Sequence, residues 1–386
     1  SRTFEHTKEW VNAGHKVTVV TCVPNFPKGD VFAGYKNKLW QSETIDGIRV
    51  IRVWSYITRN EGFAKRVLDY MSFMVTSFVA SLFVRKVDMV IGTSPQFFAA
   101  CAAWASAAVK RRPFVFELRD IWPESIRAVG AMKDSKTLDL LEKVELFLYR
   151  RAKAIVAVTN AFKKNLVERG INKEKIHVIT NGVDLSRFRP QDKDPVLLQK
   201  LQLEGKFVIG YIGTLGMAHA LETLVDAAAL LNKDPNASDI TLLMLGDGAN
   251  RQRLMEKADG LDNIRFLESV PKEDVARYWS LLDASIIHLK KSELFKTVIP
   301  SKMFECMAMG IPILHGVEGE SAEILEQYSA GLPFEPENAQ DLCDNLYKLQ
   351  SDQELYDRLR SSGINGAKDF DRKVLARKMI SVIEDM

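Results

Sequence analysis

The chain has 386 residues, of which 46% are hydrophobic and 27% are charged, and its formal net charge is +3. These proportions exclude a disordered or fibrous protein, and the length favours two hydrophobic cores in two domains of roughly 150 to 200 residues each. The small net charge argues against an extended nucleic-acid groove, so no nucleic-acid partner is expected.

The four cysteines lie far apart in apolar or helical runs, which is typical of buried thiols in a reducing compartment. They are Cys22, Cys101, Cys306 and Cys343. No CxxC pair or His/Cys cluster occurs in the sequence, so a structural zinc site is not expected. The opening stretch "SRTFEHTKEWVNAGHKVTVVT" runs from a helical pattern into a strand, whereas a βαβ unit begins with a strand. We therefore expect the natural chain to begin earlier.

Strand-like apolar runs alternate with helical segments along the whole chain. They read "HKVTVVT", "IRVIRVW", "MVIGTS", "FVFELR", "AIVAVT" and "IHVIT" in the first half, and "KFVIGYIG", "TLLMLGDG", "IRFLE", "ASIIHL", "IPILHG" and "GLPFEP" in the second. Continuous apolar strands separated by helices predict parallel sheets that are covered on both faces. The fold class is therefore α/β, in two halves.

The polar segment "RFRPQDKDPVLLQKLQLEGK" separates the two series of strands and is the best candidate for a domain boundary. The predicted domains are 1–190 and 191–370, followed by an amphipathic helix at 371–386 that could pack on either domain. Ligands of open α/β sheets bind outside the carboxyl ends of the strands. The loops that follow each strand are therefore the places to look for a site.

Segment 63–86 is the most hydrophobic part of the chain, and its uncharged core from Tyr70 to Val84 is shorter than the ~20 residues that span a bilayer. Basic residues flank that core: Lys65, Arg66, Arg85 and Lys86. This pattern favours a helix that lies on an anionic membrane surface. A helix buried against the first sheet explains it equally well, and a helix with one face on the sheet and one on lipid is the third interpretation.

A cluster of charges and one aromatic residue follows the strand "FVFEL", in the stretch "RDIWPES". It contains Arg119, Asp120, Trp122 and Glu124. Ion pairing among these residues is the structural alternative, but so many polar groups at one strand end favour a functional site.

Two strand–turn–helix stretches carry glycines where a phosphate could meet backbone amides and a helix N-terminus. In "YIGTLGMAHALETL", Gly213 and Gly216 give GxxG rather than the GxGxxG of dinucleotide folds. In "LLMLGDGANRQRL", Asp247 lies between Gly246 and Gly248. The alternative in both cases is a tight turn that needs glycine only for its geometry.

Among the histidines, His219 and His315 lie near strand ends. Each of them either donates a hydrogen bond to a phosphate or has a structural role. The others fall within helix or strand patterns, which indicates structural roles. These are His6, His15, His177 and His288.

The stretch "TVIPSKMFECMAMGIPILHG" predicts a short helix that begins after Pro300 and Ser301 and ends at Gly310. Lys302 and Glu305 are three residues apart and share a face of this helix. A cation in the first turn opposes the helix dipole. We therefore predict that Lys302 meets an anion.

Taken together, "FEHTKEWVNAGHKVTVVT", "RDIWPES", "ITNGVD", "GDG" and "PSKMFECMAMGIPIL" resemble a retaining glycosyltransferase of the GT-B fold, in family 4. The resemblance covers essentially the whole chain and is strongest to bacterial enzymes that build lipid-linked surface polysaccharides such as O-antigen, other lipopolysaccharide and capsule. It implies two Rossmann-like domains facing across a cleft, with the acceptor bound by the first and a nucleotide sugar, expected to be a UDP-sugar, bound by the second. It also implies a metal-independent reaction with a lipid-linked saccharide as acceptor at the cytoplasmic face of the plasma membrane. The hydrophobic, basic segment 63–86 supports an acceptor of this class, because such a segment suits a membrane surface.

The resemblance also implies roles for individual residues. Lys302 and the amides of its helix would hold the donor diphosphate, and Glu305 would accept hydrogen bonds from the ribose hydroxyls, with Arg119 and Asp120 also acting in the transfer. The implied donor-binding residues are Gly213, Thr214, Gly216, His219, Gly246, Asp247, Gly248, Arg251, Thr297, Ser301, Lys302 and Glu305. The implied acceptor-binding residues are Trp122, Glu124 and Asn181.

The chain departs from the family pattern at three places. Of the usual E-x7-E pair only Glu305 is present, because the first position is Thr297. The basic residues often found after the first strand of the donor domain are replaced by Thr214 and, near the second position, His219. The usual histidine before the aspartate of the first-domain loop is Arg119. These departures suggest a subgroup in which other basic residues, including Lys302, Arg119 and Arg251, supply the positive charge.

Three other functions stay open at this point. A sugar-nucleotide epimerase can use the same two-domain fold, and it would act without an acceptor. A non-catalytic nucleotide-sugar-binding subunit is compatible with the missing glutamate at Thr297. A nicotinamide-dependent dehydrogenase is disfavoured by the absence of GxGxxG.

Overall fold

The computed structural model describes residues 2–25, 29–58, 63–121 and 136–386. The chain forms two compact units, Ser1–Thr180 with Lys373–Met386 and Asn181–Arg372. Each unit has its own sheets and its own hydrophobic core.

The helices are, in chain order, α1 (Arg2–Asn12), α2 (Phe63–Leu82), α3 (Phe97–Lys110), α4 (Lys136–Arg151), α5 (Asn160–Glu168), α6 (Pro195–Lys200), α7 (Glu222–Lys233), α8 (Arg251–Lys257), α9 (Val275–Trp279), α10 (Lys302–Met309), α11 (Glu320–Tyr328), α12 (Ala339–Ser351), α13 (Gln353–Ala367) and α14 (Arg372–Glu384). The strands are β1 (Thr18–Thr21), β2 (Trp40–Ile45), β3 (Ile48–Val53), β4 (Val90–Thr93), β5 (Phe114–Leu118), β6 (Ala154–Ala157), β7 (Ile176–Val178), β8 (Phe207–Ile212), β9 (Ile240–Leu245), β10 (Ile264–Leu267), β11 (Ala284–His288), β12 (Ile313–Gly316) and β13 (Gly331–Pro333).

The boundary between the units lies about ten residues before the predicted one. The backbone N–H of Val183 donates to the carbonyl oxygen of Phe370, and Phe188 is buried in the core of the second unit. Residues 181–190 therefore belong to that unit. The C-terminal helix belongs to the first unit from residue 373, because Leu375 and its neighbours pack around Trp10, whose indole N–H donates to the Ala376 carbonyl oxygen at 2.9 Å.

The second unit is built on a six-stranded sheet in the order β10-β9-β8-β11-β12-β13, in which every neighbouring pair is parallel. Its four inner strands, β9, β8, β11 and β12, are almost entirely buried, as continuous apolar runs predict. Strand β8 is central, so the turns after β8 and β9 lie side by side at the carboxyl edge of this sheet.

The first unit has two sheets, β4-β5-β6-β7, which is parallel, and β1-β3-β2. The prediction of purely parallel sheets is wrong for β2, which pairs antiparallel with β3. Strand β2 is largely exposed, with polar residues in its middle, so it lacks the apolar run by which the other strands were predicted. Asp46 and Gly47, both with positive φ, form the tight turn between β2 and β3.

Helix α2 packs one face on α3 and leaves the opposite face exposed. Ser77 and Ala80 are buried on the packed side. Along the described ranges, no helix is both long enough and apolar enough to cross a bilayer. One face of α2 also packs against the first sheet, as the interpretation of a helix buried on that sheet predicts, while the opposite face is left exposed by the described residues.

Candidate donor site in the second unit

Two glycine turns at the carboxyl edge of the second sheet pack backbone to backbone. The Gly213 amide donates to the Leu245 carbonyl oxygen at 2.9 Å, and the Leu215 amide donates to that of Asp247 at 2.9 Å. A Cβ atom at Gly246 would overlap the carbonyl oxygen of Gly213, and one at Gly248 would lie 2.5 Å from the carbonyl oxygen of Leu215. Close packing between the two turns therefore explains Gly246 and Gly248 without any ligand.

Gly213 has a different neighbour, the side chain of Lys302. A Cβ atom at residue 213 would lie 2.8 Å from Lys302 Nζ. Helix α10 thus extends its first side chain to the turn after β8, where a methyl group at residue 213 would force the ammonium group to shift.

The ammonium group of Lys302 is the most unusual feature of this site. Its Nζ atom is buried and has no hydrogen-bond partner in the described part of the chain. It lies 3.6 Å from the centroid of the Tyr211 ring. Burial lowers the pKa of Lys302 to about 7, although coulombic interactions with Cys306 and Glu305 act in the opposite direction. A buried cation that donates no hydrogen bond is costly, which makes this position a candidate anion site.

The carboxylate of Glu305 lies on the same helix, at the position expected to meet the ribose. Trp279 Nε1 donates to its Oε2 atom at 3.2 Å. Burial raises the pKa of Glu305, while the hydrogen bond from Trp279 and the charges of Arg372 and Arg187 act to lower it. The indole therefore holds one carboxylate oxygen in place.

Helix α10 has the predicted ends. It begins at Lys302 and ends before Gly310, which adopts the left-handed conformation with φ 69°. Ser301 stands at the N-cap position but makes no capping hydrogen bond with its side chain. Ser301 is exposed, whereas Thr297 donates its hydroxyl to the Leu294 carbonyl oxygen at 2.7 Å.

The histidines of this unit make structural contacts. His288 Nδ1 donates to the His219 carbonyl oxygen at 2.9 Å, and its Nε2 accepts from the Glu337 amide at 2.9 Å. His219 Nδ1 is directed at the His288 carbonyl oxygen at 3.4 Å. Burial, followed by the charge of Lys302, lowers the pKa of His219 to about 4, so its ring is neutral at pH 7. His315 bonds Ser321 Oγ through Nε2 at 2.7 Å.

Other predicted donor residues lie near the edge of this site. Thr214 and Asp247 are exposed at the tips of the two turns, and Gly216 precedes the short 3₁₀ turn that contains His219. Arg251 begins α8, and its Nε atom is buried without a hydrogen-bond partner among the described residues.

In the first unit, the loop after β5 is held by Ser94. The amides of Arg119 and Asp120 donate to Ser94 Oγ at 2.8 and 3.2 Å. Trp122 and Glu124, predicted to bind the acceptor, lie outside the described residues. Asn181, the third such residue, follows β7 and is the first residue of the second unit.

Glu117, at the end of β5, belongs to a buried ion pair. Arg2 Nε donates to its Oε1 atom at 2.7 Å, and the Arg2 guanidinium also reaches the carbonyl oxygens of Ile179 and Thr180. Burial would raise the pKa of Glu117, but the Arg2 charge and hydrogen bond outweigh it and the pKa is lowered. Glu117 therefore pairs with Arg2, which lies outside the charged stretch that follows this strand.

Two aromatic residues of the site were missed by the sequence reasoning, Tyr211 and Trp279. Both are fully buried. Tyr211 lies in the apolar run of β8 and Trp279 ends the short helix α9, and neither position gives a sign of contact with a charged side chain. Within the described ranges no group of three or more His, Cys, Asp or Glu side chains is placed to hold a metal ion.

Two α/β units, each with a parallel sheet, are the architecture of the GT-B glycosyltransferase fold. The model for "Glycosyltransferase Family 4" matches residues 1–187, and that for "Glycosyl transferases group 1" matches residues 206–352. Both models describe glycosyltransferases and together they match most of the chain, which therefore belongs to the GT-B glycosyltransferases.

Curated relatives and solved structures agree with this assignment. The chain is 26% identical to the colanic acid biosynthesis glycosyl transferase WcaI of Escherichia coli (strain K12), over 78% of this chain and 75% of WcaI. It is 25% identical to a GDP-mannose-dependent alpha-mannosyltransferase of Mycobacterium tuberculosis, over 48% of this chain and 44% of that protein.

Among solved structures, HepE from Anabaena in complex with UDP-glucose gives a TM-score of 0.68 at 18% identity, covering 88% of this chain and 87% of HepE. WaaG, a glycosyltransferase involved in lipopolysaccharide biosynthesis, gives a TM-score of 0.68 at 15% identity, covering 99% of this chain and 95% of WaaG. At these identities the likeness concerns the fold.

Proposed function

We propose that this glycosyltransferase moves a sugar, with retention of configuration, from a UDP-sugar to a lipid-linked saccharide in the assembly of a bacterial surface polysaccharide. The observation that carries the proposal is the buried ammonium of Lys302, which meets no hydrogen-bond acceptor in the described residues and lies at the start of α10 beside Gly213. The names of WcaI and WaaG support the polysaccharide, and the UDP-glucose complex of HepE supports the nucleotide.

The diphosphate is the anion that fits Lys302 best. An ammonium group in a site without water forms a strong charge-assisted hydrogen bond with a phosphate oxygen. The backbone N–H groups at the start of α10 point out of the helix at the positive end of its dipole, which also favours an anion. The negative charge on the diphosphate grows as the glycosidic bond breaks. Lys302 therefore stabilises the transition state more than the bound substrate, which raises turnover.

Glu305 is proposed to accept hydrogen bonds from the ribose hydroxyls. Trp279 holds its Oε2 atom, which fixes the orientation of the carboxylate on α10. Arg119 and Asp120 are proposed to contact the reacting sugar or acceptor. No nucleophile is assigned, because retention by departure and attack on the same face of the sugar needs none. Transfer without a metal ion is also part of the proposal, because the Lys302 ammonium supplies the positive charge that a metal ion would otherwise supply.

A thermal-shift series tests the donor site without any acceptor. UDP, GDP, dTDP and NAD are each added to the wild type, to Lys302→Met and to the control Lys257→Met. The control also removes one positive charge from the second unit. Lys257 is exposed and pairs with Asp226. A ligand at a hundred times its Kd adds about 2.7 kcal/mol to the free energy of unfolding. Stabilisation by UDP that is lost only in Lys302→Met is expected.

Two results would argue against the proposal. Stabilisation by NAD alone would point to a different class of ligand, and UDP binding that survives in Lys302→Met would remove the lysine from the donor site. Incubation with a UDP-sugar and no acceptor provides a further check, because a sugar-nucleotide epimerase would convert the donor under these conditions.

The exposed face of α2 is proposed to bind an anionic membrane, which would bring the enzyme to its lipid-linked acceptor at the cytoplasmic face. Large apolar side chains recur on it at helical spacing. They are Leu68, Met71, Val75, Val79 and Leu82, each between 39% and 56% exposed. Exposed basic residues lie at both ends of the segment: Lys65, Arg66, Arg85 and Lys86. An apolar stripe with basic ends suits the interface of a bilayer rich in acidic lipids.

Vesicle co-sedimentation tests this surface. The double variant Val75→Glu/Val79→Glu is compared with Val196→Glu, which alters an exposed valine of the second unit. Binding of the wild type to vesicles with phosphatidylglycerol, weaker at high salt, is expected to be lost only in the double variant. Equal binding by all three proteins would exclude α2 as the membrane surface.

A further inference from the structure

The aromatic ring of Tyr211 lies directly against the Lys302 ammonium. The ring centroid lies 3.6 Å from Nζ, well inside the range of a cation–π contact. No hydrogen-bond acceptor within the described residues contacts Nζ. In the absence of a ligand, the face of this ring therefore contacts the cation directly, while Glu305 adds a coulombic attraction without a hydrogen bond.

Tyr211 is itself fixed in position. It is fully buried in the central strand β8, and its hydroxyl donates to the Thr214 carbonyl oxygen at 2.8 Å. The His219 ring packs edge-on against it, with centroids 5.8 Å apart. The lysine side chain has four rotatable bonds, whereas the tyrosine ring has no room to move. The ring thus sets where the ammonium lies.

We propose that Tyr211 is a positioning residue for the donor reaction: its ring holds the Lys302 ammonium against the Gly213 turn, ready for the diphosphate. The inference rests on the proposed donor site. Without the ring face, the lysine would lose a partner that favours its charged form, and the diphosphate would have to order a mobile side chain. The same ring also connects the lysine to the Thr214 turn through its hydroxyl.

Two variants separate the ring from the hydroxyl. Tyr211→Phe keeps the aromatic face and removes the bond to Thr214, whereas Tyr211→Leu removes the aromatic face and keeps an apolar side chain. A desolvated cation–π contact corresponds to about 10- to 30-fold in affinity. Calorimetry with UDP is expected to give that loss for Tyr211→Leu and a Kd within about threefold of the wild type for Tyr211→Phe.

The pH profile distinguishes positioning from a general loss of packing. The titratable groups around the ammonium are Tyr211, His219, Glu305 and Cys306. UDP affinity is expected to fall as the pH rises and Lys302 loses its proton. Of the two variants, only Tyr211→Leu is expected to move this fall to lower pH, because it removes a contact that favours the charged lysine. Equal losses in both variants, or wild-type affinity in Tyr211→Leu, would overturn the inference while leaving the donor site itself in place.

A measurement without nucleotide decides the inference if no nucleoside diphosphate binds the wild type. Thermal unfolding is followed for the wild type, Tyr211→Leu, Lys302→Met and the double variant at pH 6 and pH 9. At pH 6, where the lysine is charged, the effects of the two substitutions on the free energy of unfolding are expected to be non-additive. At pH 9 this non-additivity is expected to vanish. Purely additive effects at both pH values would contradict the contact.

Discussion

The substitution Lys302→Met is expected to stabilise the protein while removing donor binding. Methionine has a similar length and no charge. The pKa of Lys302 falls from about 10.4 in the unfolded chain to about 7 in the folded protein. Between these values the unfolded chain binds a proton that the folded protein does not, so this residue makes the free energy of unfolding rise with pH.

The size of the effect follows from the same pKa shift. At pH 7 the shift of Lys302 corresponds to at most about 4 kcal/mol of lost stability. Loss of the contact with Tyr211 offsets part of the gain, so we expect Lys302→Met to be more stable by about 1 to 3 kcal/mol. For a unit of this size each kcal/mol raises the Tm by about 2 to 4 °C.

Urea and thermal unfolding without nucleotide, at pH values from 6 to 10, measure this difference. The gain of Lys302→Met over the wild type is expected to be largest below pH 7 and to shrink towards pH 10. The control Lys257→Met, at an exposed ion pair, should show neither effect. A variant that is less stable than the wild type at pH 7, or a difference that does not change with pH, would refute the reasoning.

Three further substitutions test the packing around the sites. Gly213→Ala places a methyl group 2.8 Å from Lys302 Nζ, so UDP affinity measured by calorimetry should fall at least about tenfold. Gly246→Ala would overlap the Gly213 carbonyl oxygen, and urea unfolding should report a loss of about 2 kcal/mol or more. Arg2→Met leaves Glu117 buried without its 2.7 Å partner and should cost about 3 to 5 kcal/mol. Wild-type values for any of the three would contradict the corresponding contact.

Much of the fold was predictable because buried parallel strands are continuous apolar runs. The two series of strands and the ends of α10 were predicted correctly. Strand β2 was missed because its residues are polar and exposed, although the Asp46–Gly47 turn was a usable signal. The boundary was placed late because burial of Val183 and Phe188 depends on contacts with distant parts of the chain.

A residue of the site was predictable only where its type was unfavourable for the local structure predicted around it. Lys302 was noticed because a cation opposes the dipole at the start of a helix, and its side chain is indeed buried without a hydrogen-bond partner within the described ranges. Gly246 suggested a phosphate turn, but its role is explained by packing against Gly213. Tyr211 and Trp279 gave no signal, because a buried aromatic residue looks the same in the sequence whether it contacts an apolar or a charged side chain.

Calorimetric titration with UDP at pH 8, in buffers of different ionisation enthalpy, tests the central claim most directly. At this pH the phosphates are already deprotonated, and Lys302, with a pKa of about 7, is largely neutral before binding. If the diphosphate pairs with this lysine, binding should take up about 0.9 proton in the wild type and none in Lys302→Met. UDP binding without proton uptake, or the same uptake in both proteins, would contradict the account.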